Sequence, residues 1–331
     1  MSAHPFASPP GPNSTRPELS IVTTLYKSAP FIKRFYAGIQ EAAERIAVSY
    51  EILFVNDGSP DQSLAMAVAL AQSDPRVRVV DLSRNFGHHA AILAGLRHSR
   101  GEFVFLIDVD LEERPEWLLD FWEDMRNGPV DMVYGVQTAR TGAPVKRYTG
   151  AVFYRLFNLL SETRIPANVC TVRLMSRRYV DAVSQLTEAH VFLAGLFAWA
   201  GFAQRPRAVT KVPRETASSY TPLRLIQLFV NAITSFSSYP LTLVFFAGAL
   251  LTFFSLGYAA WLLAVKIRNP QMVLSGFTSM MVSLWLLGGM LLSVLGLIGM
   301  YIGKIFVETK GRPQYVIKRV YEACEAAPEH D

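Results

Sequence analysis

The sequence lacks the glycine-rich motifs that hold phosphates in the commonest nucleotide-binding folds. No G-x-G-x-x-G follows the first predicted strand, which argues against a dinucleotide-binding Rossmann domain, and the absence of G-x-x-x-x-G-K-[ST] argues against a P-loop nucleotidase. Cysteine is scarce, because Cys170 and Cys324 are the only two, and their separation provides neither a disulfide framework nor zinc-ligand spacing. No nucleic-acid-binding motif occurs and the formal net charge is only +5, so we expect no nucleic-acid partner.

Charge is missing from two long stretches in the C-terminal part of the chain. No Asp, Glu, Lys or Arg occurs from Leu225 to Val265 or from Asn269 to Gly303. Each stretch exceeds the roughly 20 apolar residues that span a bilayer. We therefore predict a soluble domain followed by two transmembrane helices, at about Pro240–Val265 and Gly276–Ile302, with a buried soluble hairpin as the alternative.

The distribution of basic residues predicts the orientation of these two spans. Basic residues precede the first span (Arg205, Arg207, Lys211 and Arg214), a few lie in the connection (Lys266 and Arg268), and more follow the second span (Lys304, Lys310, Arg312, Lys318 and Arg319). Because cytoplasmic segments carry the excess of Lys and Arg, both ends are predicted inside and the connection outside. The first 17 residues hold five prolines and no apolar core, which indicates a disordered lead-in rather than a signal peptide.

Strands and helices alternate through the first part of the chain. Strands are predicted at Leu19–Leu25, Tyr50–Val55, Val77–Leu82, Phe103–Ile107 and Asp131–Val136. Helices are predicted at about Pro30–Ala47, Gln62–Ser73 and Pro115–Arg126, and the stretch Ser83–His89 opens a further helix that runs to about Ser99. This alternation is typical of a doubly wound α/β domain.

Polar residues follow several of these strands at the point where each strand ends. Asp108 and Asp110 come directly after five apolar residues, and Asp57 follows the second strand. Ligands bind beyond the carboxyl ends of strands in open α/β sheets, and two carboxylates there suit a hard cation that carries phosphates. Turns or helix N-caps are the alternative at each place. Adjacent His88 and His89 do not face one another on a helix, so we do not expect both to bind one metal ion.

Basic and apolar residues dominate the segments that join this domain to the spans. After Gln137, basic residues accompany apolar ones, which indicates an amphipathic helix at a membrane surface or one packed on its own domain. Val191–Phe202 is uncharged but too short to span, so it is predicted buried or interfacial. Pro222–Phe236 is predicted as an interfacial helix. The resulting segments are 1–17 (disordered), 18–221 (α/β domain), 222–238 (interfacial helix), 239–303 (membrane part) and 304–331 (cytoplasmic tail).

With these segments in order, the chain from Leu19 to Ile317 resembles the polyprenyl-phosphate glycosyltransferases. This branch of the family 2 glycosyltransferases includes dolichol-phosphate mannose synthase and bactoprenol glucosyltransferases. The resemblance is carried by five motifs: Val55-Asn56-Asp57-Gly58-Ser59, Ser83-Arg84-Asn85-Phe86-Gly87, Asp108-Val109-Asp110, Arg173-Leu174-Met175-Ser176-Arg177 and Lys310-Gly311-Arg312-Pro313-Gln314-Tyr315.

The resemblance implies a GT-A fold, a UDP- or GDP-linked sugar as donor, a polyprenyl phosphate as acceptor and a divalent cation, Mg²⁺ or Mn²⁺. By position, Asp108 and Asp110 would hold the metal and act in catalysis with Arg173. The donor-binding residues would be Leu25, Tyr26, Asp57, Arg84, Asn85 and Asp108, with Asp57 contacting the base. The acceptor and phosphate residues would be Arg140, Lys146, Arg147, Arg173, Arg214 and Ser218. The enzyme would lie in the bacterial inner membrane, and a homo-oligomer through the membrane helices is left open.

Three departures from the family pattern bear on function. Thr24-Leu25-Tyr26-Lys27-Ser28 stands where relatives carry Pro-x-Tyr-Asn-Glu, so an acidic donor contact is absent. Cys170-Thr171-Val172 replaces Gly-Asp-Phe, whose aspartate is a candidate base in relatives. Ser218-Ser219-Tyr220 replaces a common Ser-Lys-Tyr.

The missing acid at position 171 favours an acceptor that needs no deprotonation. A phosphate monoester has a second pKa of about 6 and is mostly dianionic near pH 7, whereas a sugar hydroxyl needs a base. The sequence therefore predicts inverting transfer of one sugar to polyprenyl phosphate at the cytoplasmic face of the membrane. The alternatives are a membrane glycosyltransferase that extends a lipid-linked or polymeric glycan, and a lipid-binding scaffold with a degenerate transferase domain.

Overall fold

The computed structural model describes residues 16–46, 48–137, 168–188, 193–211, 239–268 and 276–322. The chain forms two compact units. The first contains 1–147, 166–218 and 313–331, and the second contains 148–165 and 219–312.

The first unit is an eight-stranded sheet with six helices among the described residues. Its strands are β1 (Leu19–Leu25), β2 (Tyr50–Asn56), β3 (Val77–Leu82), β4 (Phe103–Leu106), β5 (Met132–Gln137), β6 (Val169–Ser176), β7 (Gln204–Val209) and β8 (Ile317–Tyr321). Its helices are α1 (Ile32–Ile46), α2 (Ser63–Ser73), α3 (His88–His98), α4 (Trp117–Arg126), α5 (Arg177–Ser184) and α6 (Leu193–Trp199). The strand order is β7-β5-β6-β4-β1-β2-β3-β8.

The sheet carries a hydrophobic core on each face, as a doubly wound domain requires. Every residue of β2 and β3 is buried, including the charged residues Glu51, Arg78 and Asp81, as expected for strands that are covered on both faces. Phe35 of α1 and Phe121 of α4 belong to one core, while Leu93 of α3 and Tyr179 of α5 belong to the other. The predicted α/β class is therefore confirmed.

The sheet is mixed, which strand–helix alternation does not reveal. β4, β1, β2 and β3 run parallel, but β6 lies antiparallel between β4 and β5. β6 comes from 169–176, which the alternating pattern does not reach. It brings Arg173 opposite Leu106, so the first half of β6 lies beside the carboxyl end of β4.

The tail after the apolar helices returns to the same sheet. β8 pairs antiparallel with β3, and the Ser83 N–H donates to the Val316 carbonyl at 2.9 Å. Glu322 then accepts from Arg78 at 2.8 Å and from Arg100 at 2.9 Å. Part of the segment predicted as a plain cytoplasmic tail is thus an edge strand of the α/β domain.

The second unit contains two long apolar helices, α7 (Tyr239–Arg268, 30 residues) and α8 (Phe277–Thr309, 33 residues). Within the described residues, one stretch is long and apolar enough to cross a membrane: Leu287–Thr309, of 23 residues and mean hydropathy 2.0. The predicted interfacial helices after Gln137 and at Pro222–Phe236 lie outside the described residues. The uncharged segment from Val191 contains α6, whose Leu196 and Phe197 are buried.

Candidate active site

The polar residues predicted as a site meet at one edge of the sheet. Because β1 to β4 are parallel, their carboxyl ends lie side by side. Asp57 follows β2, Ser83–Gly87 follows β3, and Asp108 and Asp110 follow β4. The order of these strands therefore brings together residues that are about 50 positions apart in the sequence.

Asp57 organises the loop between β3 and α3. Its side chain is buried, and its carboxylate accepts the Phe86 N–H at 2.7 Å and the Gly87 N–H at 3.0 Å. Burial raises the pKa of Asp57, and the two amide hydrogen bonds oppose that rise. Asn85 Nδ2 also donates to the Asp57 carbonyl at 3.1 Å. A contact between Asp57 and a nucleotide base remains a prediction.

Gly58 allows this loop to approach. Its φ is +58°, and a Cβ at this position would lie 2.5 Å from the Asn85 nitrogen. Any other residue would have to adopt a left-handed conformation and displace the Arg84–Asn85 backbone. Gly58 is thus needed not only for the turn after β2 but also for the close approach of the loop between β3 and α3.

The other predicted donor residues divide between exposed and buried positions. Tyr26 is 49% exposed, and Arg84 and Asn85 are exposed, so all three side chains are accessible to a ligand. The Arg84 guanidinium lies 4.1 Å from the centroid of the Phe86 ring. Leu25 is fully buried, so a donor could contact only its backbone, and its role in donor binding remains a prediction.

Asp108 and Asp110 lie on a tight turn after β4. Leu111 has a φ of +62°, an uncommon left-handed conformation for a branched residue, and the Glu112 N–H donates to Asp110 Oδ1 at 3.2 Å. Burial raises the pKa of Asp108, and so does the negative charge of Glu113. Lys211 and a side-chain hydrogen bond from Thr171 favour the ionised form.

Glu113 is a buried residue at this site that sequence reasoning missed. It is fully buried, and its carboxylate accepts the Asp108 N–H at 3.3 Å, the Thr171 N–H at 3.1 Å and the Lys211 ammonium at 2.9 Å. Glu113 therefore links the turn after β4, the start of β6 and the residue two positions beyond β7. The sequence alone could not single out Glu113 as a site residue, because the adjacent Glu112 carries the same carboxylate group.

Arg173 is buried beneath the same region. It donates to the Thr171 and Cys170 carbonyls, both at 2.9 Å, and its guanidinium lies 3.9 Å from the centroid of the Phe197 ring. Burial lowers the pKa of Arg173 to about 10, so it stays charged at neutral pH. Its contact with a phosphate remains a prediction.

His88 borders the carboxylate pair from α3. Its Nε2 lies 3.6 Å from Asp108 Oδ1, and its Nδ1 lies 3.1 Å from Thr24 Oγ1. The pKa of His88 is lowered, first by desolvation of the ring and then by the charge of His89, although 48% of the side chain is exposed.

Five predicted acceptor residues, Arg140, Lys146, Arg147, Arg214 and Ser218, lie outside the described residues, so their roles remain predictions.

The carboxylate pair fits a cation that takes its remaining ligands from substrate. Among the described residues, no group of three or more His, Cys, Asp or Glu side chains is arranged to hold a metal ion. Mg²⁺ and similar ions are commonly bound by one or two carboxylates together with water and substrate phosphates. Asp108 and Asp110 are suited to that mode of binding.

The chain is similar in sequence to known glycosyltransferases. A family model described as "Glycosyl transferase family 2" matches residues 20–184. A glycosyltransferase of Mycobacterium tuberculosis (strain CDC 1551 / Oshkosh) is 42% identical over 303 residues, which is 92% of this chain and 88% of the relative. The bactoprenol glucosyl transferase of Shigella phage SfX is 36% identical over 305 residues, or 91% and 99% of the two chains. A solved structure of glucosyl-3-phosphoglycerate synthase from Mycobacterium tuberculosis has a TM-score of 0.47 at 18% identity, over 66% of this chain and 78% of that one.

Proposed function

Since this chain belongs to the family 2 glycosyltransferases, we propose that it transfers one sugar from a nucleotide-sugar donor to a polyprenyl phosphate, with inversion at the anomeric carbon. The name of the Shigella phage relative, bactoprenol glucosyl transferase, supports a polyprenyl acceptor and suggests glucose as the first sugar to test.

One observation carries the choice of a phosphate acceptor. Thr171 stands where a carboxylate base would be expected, and the carboxylate that contacts its backbone, Glu113, is fully buried and paired with Lys211. A buried, ion-paired carboxylate is a poor general base, because accepting a proton would leave the Lys211 charge uncompensated. A phosphate dianion needs no such base.

The residues at this edge would orient and neutralise the substrates. A phosphate oxygen of the acceptor forms a bond to the anomeric carbon as the bond from that carbon to the nucleoside diphosphate breaks. Arg173 and the basic residues beyond β7 would supply charge-assisted hydrogen bonds to phosphate. A divalent cation held by Asp108 and Asp110 would stabilise the charge on the departing diphosphate.

The return of the chain to its own sheet supports a two-span membrane hairpin. β7 precedes the apolar helices and β8 follows them, yet both belong to one sheet. A chain that leaves and re-enters a domain on one side of a membrane crosses that membrane an even number of times. If Leu287–Thr309 crosses, a second segment crosses as well, and α7 is the other long apolar helix among the described residues.

Product mass would test the proposal directly. Purified full-length protein is incubated with Mn²⁺ or Mg²⁺, undecaprenyl phosphate and, in turn, UDP-glucose, UDP-N-acetylglucosamine and GDP-mannose. We expect one donor to yield the acceptor mass plus a single sugar residue, and no product with undecaprenol. Equal glycosylation of undecaprenol would contradict a phosphate acceptor and favour an enzyme that extends a glycan through a hydroxyl.

A further inference from the structure

In the ion pair between Glu113 and Lys211, the ammonium group has hydrogen-bond donors that the described residues do not use. Lys211 lies two residues beyond β7, and its Nζ is 2.9 Å from Glu113 Oε1. An ammonium group carries three N–H donors. Among the described residues, Glu113 is the one hydrogen-bond or ionic partner of Lys211, so the pair occupies a single acceptor and leaves donors over.

The side chain of Lys211 reaches the edge where the substrates are expected. It is 20% exposed, whereas Glu113 beneath it is 0% exposed, so the pair runs from the interior towards solvent. The charge of Lys211 acts on Asp108, on His88 and on Cys170, which lie on three different elements around this edge. Glu113 contacts both the Lys211 ammonium and the Asp108 N–H, so Lys211 lies close to one of the two carboxylates that would hold the cation and the donor diphosphate.

A structural role alone explains Lys211 incompletely. Glu113 already accepts two backbone N–H groups, from Asp108 and Thr171, and a buried carboxylate also needs a countercharge. A fully buried lysine would meet that need equally well. The observed lysine instead extends to a partly exposed position beside Asp108, where anionic substrates would otherwise meet the negative charges of Asp108 and Asp110.

We propose that Lys211 is a phosphate-binding residue of this site and that Glu113 is the positioning residue that holds its ammonium in place. The inference rests on the proposed function for the identity of its ligands: the phosphate belongs either to the nucleoside diphosphate or to the polyprenyl phosphate. Glu113 also holds the backbone of Asp108, so one carboxylate fixes both the cation-binding turn and the phosphate-binding ammonium.

Binding by titration calorimetry tests this without requiring turnover. The full-length protein in detergent is titrated with UDP and with GDP, each with Mn²⁺, and separately with farnesyl phosphate and with farnesol. In Lys211→Met we expect affinity for at least one phosphate ligand to fall roughly tenfold or more, as expected for loss of a hydrogen bond to a charged group. Lys211→Arg should recover most of it, and farnesol binding should not change. Lys33→Met, an exposed lysine on α1, is the matched control and should bind as wild type.

A double variant separates binding from stability. Lys211→Met alone leaves Glu113 buried without its countercharge and should lower the melting temperature. Lys211→Met with Glu113→Gln removes both charges, so we expect it to regain stability but to bind phosphate as weakly as Lys211→Met. Glu113→Gln alone should weaken the same ligand less, since the charge remains but loses its anchor.

The outcomes show which phosphate Lys211 binds. They also separate a failure of the role proposed for Lys211 from a failure of the proposed acceptor. Loss confined to the nucleotides assigns Lys211 to the donor, and loss confined to farnesyl phosphate assigns it to the acceptor. If the Lys211→Met/Glu113→Gln variant binds the nucleotides and farnesyl phosphate with affinities within about twofold of wild type, Lys211 is only the countercharge of Glu113 and the inference is wrong. If wild-type protein binds nucleotide but not farnesyl phosphate, the proposed acceptor fails while the nucleotide titrations still decide the role of Lys211.

Discussion

At the scale of single residues, the two aspartates after β4 differ in their surroundings. Asp108 is mostly enclosed and interacts with Glu113, Thr171 and Lys211, while Asp110 lies at the turn and accepts the Glu112 N–H. Two carboxylates at the end of a buried strand, with basic groups around them, are best explained by a cation and phosphates. Replacing either carboxylate by its amide keeps the shape and removes the charge.

We therefore expect Asp110→Asn to reduce transfer at least about 100-fold, a loss typical of removing one electrostatic contact to the departing group. Asp108→Asn should also be severe. Transfer rates and melting temperatures would be measured on the same preparations, with Asp181→Asn, an exposed position on α5, as the control. Near-normal turnover by folded Asp110→Asn would refute the metal assignment.

The pair Thr171 and Arg173 tests whether proton transfer matters. Thr171→Ala removes one hydrogen bond to Asp108, worth about 1 kcal/mol, so we expect a loss of several-fold. Arg173→Ala should cost far more, since a buried positive charge beside the site disappears. Thr171→Asp would bring a third carboxylate close to Glu113 and Asp108, and should also slow transfer.

Rates with polyprenyl phosphate would be compared for these variants in one preparation. Melting temperatures are needed alongside, because Arg173 also holds the carbonyls of Cys170 and Thr171. If folded Thr171→Ala were the less active of the two alanine variants, a hydroxyl acceptor would become the better interpretation.

At the scale of elements, β8 pairs with β3 and so attaches the segment after the apolar helices to the edge of the sheet. Glu322 bonds to Arg78 and Arg100, and Arg78 also pairs with buried Glu51 at 2.9 Å. Burial alone would raise the pKa of Glu322, but the two arginines lower it below its usual 4.5. Its contribution to stability is therefore complete above pH 4.5 and is lost as the pH falls through the lowered value.

We expect Glu322→Gln to destabilise the protein by roughly 0.5–1 kcal/mol at pH 7, a modest value because the side chain is partly exposed. The difference from wild type should disappear at strongly acidic pH, where Glu322 is protonated. Denaturant midpoints at several pH values would measure this, with Glu102→Gln, an exposed position before β4, as the control. An unchanged midpoint at pH 7 would mean that β8 is held by its backbone pairing alone.

At the scale of the whole molecule, β7 and β8 belong to one sheet, so the apolar helices would begin and end on the same side of a membrane if they cross it as proposed. The excess of Lys and Arg on both flanks agrees with a cytoplasmic location for that side. This location would also give the site access to nucleotide sugars.

We expect a reporter fused after Asp331 to be cytoplasmic and one inserted near Asn269 to be outside. Paired reporters that are active on opposite sides of the membrane would read each position, and fusion after Ser59 in the α/β domain would mark the cytoplasmic side. An external C-terminus would refute the hairpin, because β8 could not then join the sheet.

Periodicity and composition alone determined the features that are local in the chain. The bounds of β1, β2 and β3, the approximate ends of α1 and α4, and the two uncharged stretches all follow from residues within about 40 positions of one another. Asp57, Asp108 and Asp110 could be selected for the same reason, because each follows an apolar strand directly.

Only the tertiary structure decided which distant residues share a contact. Glu113 receives hydrogen bonds or charge from Asp108, Thr171 and Lys211, and the last is 98 residues away, so no local pattern could pair them. The antiparallel insertion of β6 likewise depends on strand pairing rather than on periodicity. A buried carboxylate is stable only where the fold supplies its donors, and those donors come from the pairing of strands far apart in the sequence.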